Sequence, residues 1–166
     1  MGTAAATTPT ERDIEHLRTA VAVAARARAH GNHPFGALLT GPDGSVLFEA
    51  ENTVTTGRDA TGHAETNLVR LATAAHDAEF LRGCTLYTST EPCAMCSGAI
   101  YWGNIGRVVY ALGEDQLLDL TGADPENPTM ALPCRTVFAA GQRELPVVGP
   151  VDLPEARIIH EGFWSR

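Results

Sequence analysis

Two short stretches hold side chains that could act together: Thr61-Gly62-His63-Ala64-Glu65 and Thr90-Glu91-Pro92-Cys93-Ala94-Met95-Cys96. An imidazole and two thiols are ligand types that zinc takes. Three protein ligands leave a fourth tetrahedral position for water, as in catalytic rather than structural zinc sites. His63, Cys93 and Cys96 are therefore the expected ligands of one Zn2+ per chain. Glu65, two residues beyond the histidine, is the expected proton carrier beside that water. Zinc lowers the pKa of a bound water to about 7, so the chemistry expected is hydrolysis at neutral pH.

Other readings of the same residues need weighing. A C-x-x-C by itself is more often a redox pair or half of a closed zinc site. A closed site needs one more ligand, for which Cys84, Cys134, His33 and His76 are the candidates. That reading leaves Glu65 without a role, and the open site accounts for it.

Both stretches need a helix end to position them. The Cys93–Cys96 spacing predicts a helix from about Pro92 with both sulfurs on one face of its first turn. The positive end of that helix favours thiolates. His63 is expected to open a second helix carrying Leu68, Leu71, Ala72 and Ala75 inward. Upstream, Thr10 with Asp13 predicts a capped helix to about His30, with Ile14, Leu17, Val21, Ala24 and Ala25 on one stripe and Gly31 as its stop. Residues 36–40 and 46–51 read as a hairpin around Gly41-Pro42-Asp43-Gly44. Residues 52–62 read as a loop. Strands are predicted at 85–89 and 107–112, the second preceded by the Cys93 helix running to about Trp102, which implies a parallel pairing. A short helix at 114–120, an irregular stretch at 121–133, a helix at 132–140 and an edge strand at 145–151 follow. Asp152-Leu153-Pro154-Glu155 opens a last helix ending at Phe163-Trp164.

The chain of 166 residues is one domain long, assigned to 10–166 behind a disordered tail of residues 1–9. Twelve basic against twenty acidic residues give a formal charge of -8, which argues against a nucleic-acid partner. No run approaches membrane-spanning length, and residues 1–10 lack the marks of a secretory signal. Four cysteines with one C-x-x-C suit a reducing compartment, so the expected location is the cytoplasm.

His63-Ala64-Glu65 followed by Pro92-Cys93-Ala94-Met95-Cys96 meets the H-x-E and P-C-x-x-C signature of zinc-dependent base deaminases. With these residues the sequence resembles the cytidine deaminase-like superfamily, on the side that holds guanine, cytosine and tRNA-adenosine deaminases. The likeness runs from the first helix and Pro34-Phe35-Gly36-Ala37 through Leu86-Tyr87-Thr88-Ser89 to Val108-Val109-Tyr110, and weakens after about Gly113. It implies a three-layer α-β-α fold of the α/β class, with a mixed five-stranded sheet and helices on both faces. It also implies substrate-binding roles for Asn52, for the Ala64 backbone and for Phe35, which would pack on the ring. An acidic residue after the fourth strand, taken as Asp115 with Glu114 beside it, and Trp164 of the C-terminal aromatic pair would help close the pocket. Homodimers are the family's common assembly. Pro34-Phe35-Gly36-Ala37 and Ala99-Ile100-Tyr101-Trp102 look most like guanine deaminases, so the expected reaction is hydrolytic deamination of guanine or guanosine, releasing ammonia. Cytosine, and adenosine free or in tRNA, remain alternatives, as does a non-catalytic zinc-stabilised binding module. Thr121 to Met130 departs from the guanine deaminase pattern; within it, Asp124 or Glu126 could face an N–H edge of a base.

Overall fold

The first helix starts at its expected cap. In the computed structural model, which describes residues 7–164, the Thr10 hydroxyl accepts from the Asp13 amide and the Asp13 carboxylate accepts from the Thr10 amide, opening α1 (Glu11–Ala29). Residues 1–6 of the expected tail lie outside the described residues, as do Ser165 and Arg166.

After α1 the chain forms β1 (Gly36–Thr40), β2 (Val46–Glu51), α2 (Val54–Gly57), α3 (Ala64–Ala75), α4 (Ala78–Arg82) and β3 (Thr85–Thr90). It continues through α5 (Ala94–Trp102), β4 (Arg107–Leu112), α6 (Glu114–Thr121), α7 (Cys134–Ala139), β5 (Val147–Val148) and α8 (Pro154–Ile158). The sheet has the order β2-β1-β3-β4-β5. β1 is antiparallel to β2 and β3, while β3, β4 and β5 run parallel. This is the mixed five-stranded α/β sheet that the resemblance implies.

Strand alternation sorts the core into two layers. Ala37, Leu39, Leu86, Val108 and Tyr110 pack with Leu68 and Ala72 of α3 and Ile100 of α5. Leu38, Tyr87, Val109 and Ala111 pack with Leu17, Ala20 and Val21 of α1 and Ala156 of α8. The inward stripes sit slightly differently from expectation. Ala25, Leu71 and Ala75 are exposed, whereas Ala27 and Val69 are buried. Both helices are rotated on the sheet by a fraction of a turn relative to the strict i, i+3, i+4 reading.

The expected loop at 52–62 contains the single turn α2, and α4 sits between α3 and β3; each is too short to show periodicity. The expected last strand shrinks to Val147–Val148, because Pro146 and Pro150 bracket it and offer no amide for a ladder. The last helix stops at Ile158. Beyond it His160, Glu161 and Phe163 donate to carbonyls three residues back, and these tight turns bring Trp164 back to the body. No helix among the described residues is long and apolar enough to cross a membrane.

At Gly36 a Cβ would run into the backbone of Ala24 and Ala20 on α1, so the helix rests directly on the strand. Gly36→Ala is expected to destabilise the fold by about 1–3 kcal/mol through overpacking. A shift of less than about 0.5 kcal/mol in urea denaturation, the range of an ordinary surface change, would contradict this contact.

Candidate active site

Two helix starts converge on the candidate ligands. His63 is the extended N-cap of α3, at φ -69° and ψ 153°, and Cys93 is the extended N-cap of α5, at φ -65° and ψ 174°. The helix therefore begins one residue after Cys93, not at Pro92 as expected. Pro92 lies before the cap, and Cys96 sits in the first turn. This step brings Cys93 Sγ to 3.6 Å and Cys96 Sγ to 3.5 Å from His63 Nδ1. All three donor atoms lie within 4.8 Å of one another. A tetrahedral zinc with its usual Zn–S and Zn–N lengths requires an S···N separation of about 3.6 Å, so the donor set fits that ion.

The candidates for a fourth ligand lie elsewhere. Cys84 donates to Phe80 O at 3.5 Å, and His76 stacks on Phe80 with ring centroids 4.4 Å apart. His33 pairs with Glu126 through Nε2 at 3.0 Å, and Cys134 is buried beside Glu91. Burial, followed by the Glu91 charge, pushes the Cys134 thiol up.

The cluster already favours negative sulfur. Cys93 is drawn down to about 4, chiefly by the hydrogen bond from Cys96, while burial opposes this and His63 assists. Cys96 is pushed up by the same bond, by burial and by the Glu65 carboxylate. Zinc takes both sulfurs as thiolates, so its binding would release the thiol protons of the pair. His63 is raised, first by its bond with Cys93. Cys96→Ser should weaken zinc binding more than about 100-fold, beyond the loss typical of an outer-shell partner. Chelator competition measures this; full retention of zinc would exclude Cys96 as a ligand.

Glu65 enters the cluster from the first turn of α3. It is buried, with Oε2 accepting from Cys96 Sγ at 3.5 Å and Oε1 accepting from the Thr88 hydroxyl at 2.6 Å. Burial raises its pKa, and the Thr88 bond partly offsets that rise. Thr88 lies on the same face of β3 as Leu86, the face turned toward α3, so strand parity alone could have found it.

Above these groups opens a cavity of ≈ 370 Å³, within the usual size range of small-molecule sites. Phe35, His33, Glu91, Glu114, Leu117 and residues 126–130 form its walls, and no lysine or arginine among the described residues lines it. Glu114 is pushed up to about 8 by burial and then by the charges of Cys93, Glu91 and Glu65.

The other expected site residues are distributed as follows. Phe35 lines the cavity. Trp164 does not; it stands behind the wall, 6.0 Å from the Phe35 ring and 5.4 Å from the His33 ring, with its indole N–H donating to His160 Nδ1. Ala64 is buried between His63 and Glu65 in the first turn of α3. Asn52 is buried, its Oδ1 accepting from the Val54 amide, and its Nδ2 has no partner among the described residues. Asp115 needs correction: it is exposed and outside the cavity wall, and Glu114 is the residue that lines it. Gly113 caps α6, so Glu114 is its first residue, and one step along a helix turns the side chain away by about 100°. Glu126 reaches the cavity, whereas Asp124 is buried and accepts from the Glu126 amide, shaping the turn beneath it. Sequence reasoning missed Thr88 and the side-chain contacts of Glu91.

The model of the cytidine and deoxycytidylate deaminase zinc-binding region matches residues 10–112. A protein of Schizosaccharomyces pombe described as a probable cytosine deaminase is 43% identical over 155 residues, 93% of this chain and 94% of that one. Guanine deaminase of Bacillus subtilis is 49% identical over 78 residues, 47% of this chain and 49% of that protein. Its solved structure superposes with a TM-score of 0.58 at 38% identity, covering 64% of this chain and 68% of that chain. The tRNA-specific adenosine deaminase of Aquifex aeolicus is 35% identical over 95 residues, 57% of this chain and 62% of that protein.

Proposed function

The chain belongs to the cytidine and deoxycytidylate deaminase zinc-binding family, hydrolases of C–N bonds, and from that membership we propose that it deaminates a small free heterocyclic base, guanine first. The observation that carries this reading is a buried Glu65 carboxylate 3.5 Å from Cys96 Sγ, beside a cavity that no arginine lines among the described residues.

His63, Cys93 and Cys96 would hold the zinc, which when bound would supply a water activated near neutral pH. Glu65 takes one proton from the attacking water and delivers it to a ring nitrogen, then takes the second from the new hydroxyl and passes it to the amine, whose C–N bond breaks to release ammonia and leave a keto group. Thr88 holds Oε1 and leaves Oε2 for that work. Burial raises the pKa of Glu65, which makes its carboxylate a better acceptor for the water's proton. Phe35 packs on the ring. Asn52 Nδ2, a buried donor without a partner among the described residues, is suited to a substrate carbonyl, and the family resemblance assigns the Ala64 amide to the base edge. Glu114 and Glu126 offer acceptors to an N–H-rich edge such as that of guanine, while Trp164 supports Phe35 from behind.

A phosphate-bearing substrate fits poorly, since no arginine among the described residues lines the cavity and the chain carries a formal charge of -8. Cytosine is the second reading, favoured by the match along 94% of the S. pombe relative. We further propose a homodimer, supported by Trp102, 85% exposed at the end of α5, and by the exposed Leu71 on α3. A cytoplasmic location is supported by four unpaired cysteines.

Ammonia release from guanine, guanosine, cytosine, adenosine and a tRNA anticodon stem-loop tests the reading. Turnover of a free base is expected. Turnover of the RNA alone would overturn the substrate class, and a zinc-loaded chain inactive on all of them would support the binding-module alternative.

A further inference from the structure

Glu91 stands where the metal-binding turn meets the part of the chain beyond β4. Its amide donates to Leu112 O at 2.7 Å, drawing the end of β3 to the end of β4. Its buried side chain accepts two backbone bonds from separate helices: the Glu114 amide donates to Oε2 and the Cys134 amide to Oε1, each at 2.9 Å. Those amides are the first of α6 and α7, among the donors that a helix leaves unpaired. Neither helix has a cap side chain to take them, because Gly113 has no side chain and Pro133 has no acceptor on its ring. Both amides belong to buried residues, where an unpaired donor is costly.

The chain from Glu114 to Cys134 therefore starts and ends on one carboxylate. This excursion supplies Glu114, Leu117 and residues 126–130 to the cavity wall, and it lies outside the matched family region at residues 10–112. We infer that Glu91 is a positioning residue that registers this substrate-facing wall against the turn holding Cys93, by capping both of its ends. The inference rests on the proposed function in that the wall is taken to face the base.

Glu91→Gln keeps one acceptor and turns an N–H2 toward the other amide, so one of the two caps is lost with little change in volume. With the base that the wild-type chain turns over best, KM is expected to rise about tenfold or more while kcat stays within about threefold and zinc remains at one per chain. Amide hydrogen exchange at whichever of Glu114 and Cys134 loses its acceptor should accelerate about tenfold or more, with β1 and α3 unchanged. Unchanged exchange at both amides overturns the inference. So does faster exchange with an unchanged KM, which would make Glu91 a helix cap only, and so does loss of zinc. Because exchange is read without turnover, a wild-type chain inactive on every base would overturn the proposed function and leave the exchange result to decide the positioning.

Discussion

Glu65→Gln is expected to lower kcat by at least about 10²–10⁴-fold, the span of a general acid–base contribution, while the chain keeps its zinc. Glutamine fills the same buried space and retains an oxygen for the Thr88 hydroxyl, which donates to Oε1 at 2.6 Å. It cannot carry a proton between the water, a ring nitrogen and the leaving amine. KM should change little, since the amide preserves the shape of the cavity floor. Stability gives an independent sign. Burial raises the Glu65 pKa above its unfolded value, so the ionised form costs stability at neutral pH, and a neutral amide removes that cost. The thermal midpoint of Glu65→Gln should hold or rise as activity disappears, the trade expected of a residue kept for chemistry. Turnover within about threefold of wild type, too small for a lost proton carrier, would remove Glu65 from the mechanism and restore the binding module as the better account.

What could be read from the chain follows from how local each signal is. The Thr10–Asp13 cap, the hairpin strands and β4 lie in short windows whose residue pattern decides their conformation, and they form where the pattern puts them. The zinc donors were legible because two of the three are three residues apart and the third is two residues from an otherwise unexplained glutamate. The cavity wall was not. Whether Glu114 or Asp115 faces inward depends on where α6 starts, and a one-residue error there moves the side chain by about 100°. Glu91 lies inside the motif, but its side-chain partners are the starts of two helices separated by a segment without periodicity, so its contacts exist only in the folded chain. The last strand and last helix were overdrawn because prolines and i−3 turns set their lengths more strongly than hydrophobic pattern does.

Asp13→Ala is expected to destabilise the fold by about 3–5 kcal/mol, the cost of removing one partner from a buried ion pair. Asp13 is only 3% exposed and receives four bonds. The Tyr87 hydroxyl donates to Oδ1 at 2.8 Å, Arg107 donates from Nη1 at 2.8 Å and Nη2 at 2.9 Å, and the Thr10 amide donates to Oδ2 at 2.9 Å. Through them α1 is joined to β3 and β4, so alanine strands a half-buried guanidinium and a buried phenol together. Arg107→Ala should cost less, because Asp13 then keeps Tyr87 and its helix cap. Burial works to raise the Asp13 pKa, but the Arg107, Thr10 and Tyr87 bonds outweigh it and hold the carboxyl well below its ordinary value of 3.8. A depressed folded pKa contributes stability above the unfolded pKa and loses it as pH falls, so this contribution should fade from about pH 4 downward. Urea midpoints at pH 7 and pH 3 should therefore drop further for the wild type than for Asp13→Asn, which has no carboxyl to protonate. The neighbouring strand positions divide the duties: Tyr87 faces Asp13 and α1, while Thr88, on the opposite face, holds Glu65. Below its lowered thermal midpoint, Asp13→Ala should accordingly keep near wild-type kcat. A loss of kcat matching that of Glu65→Gln, measured on fully folded protein, would show that the two faces of β3 are not independent.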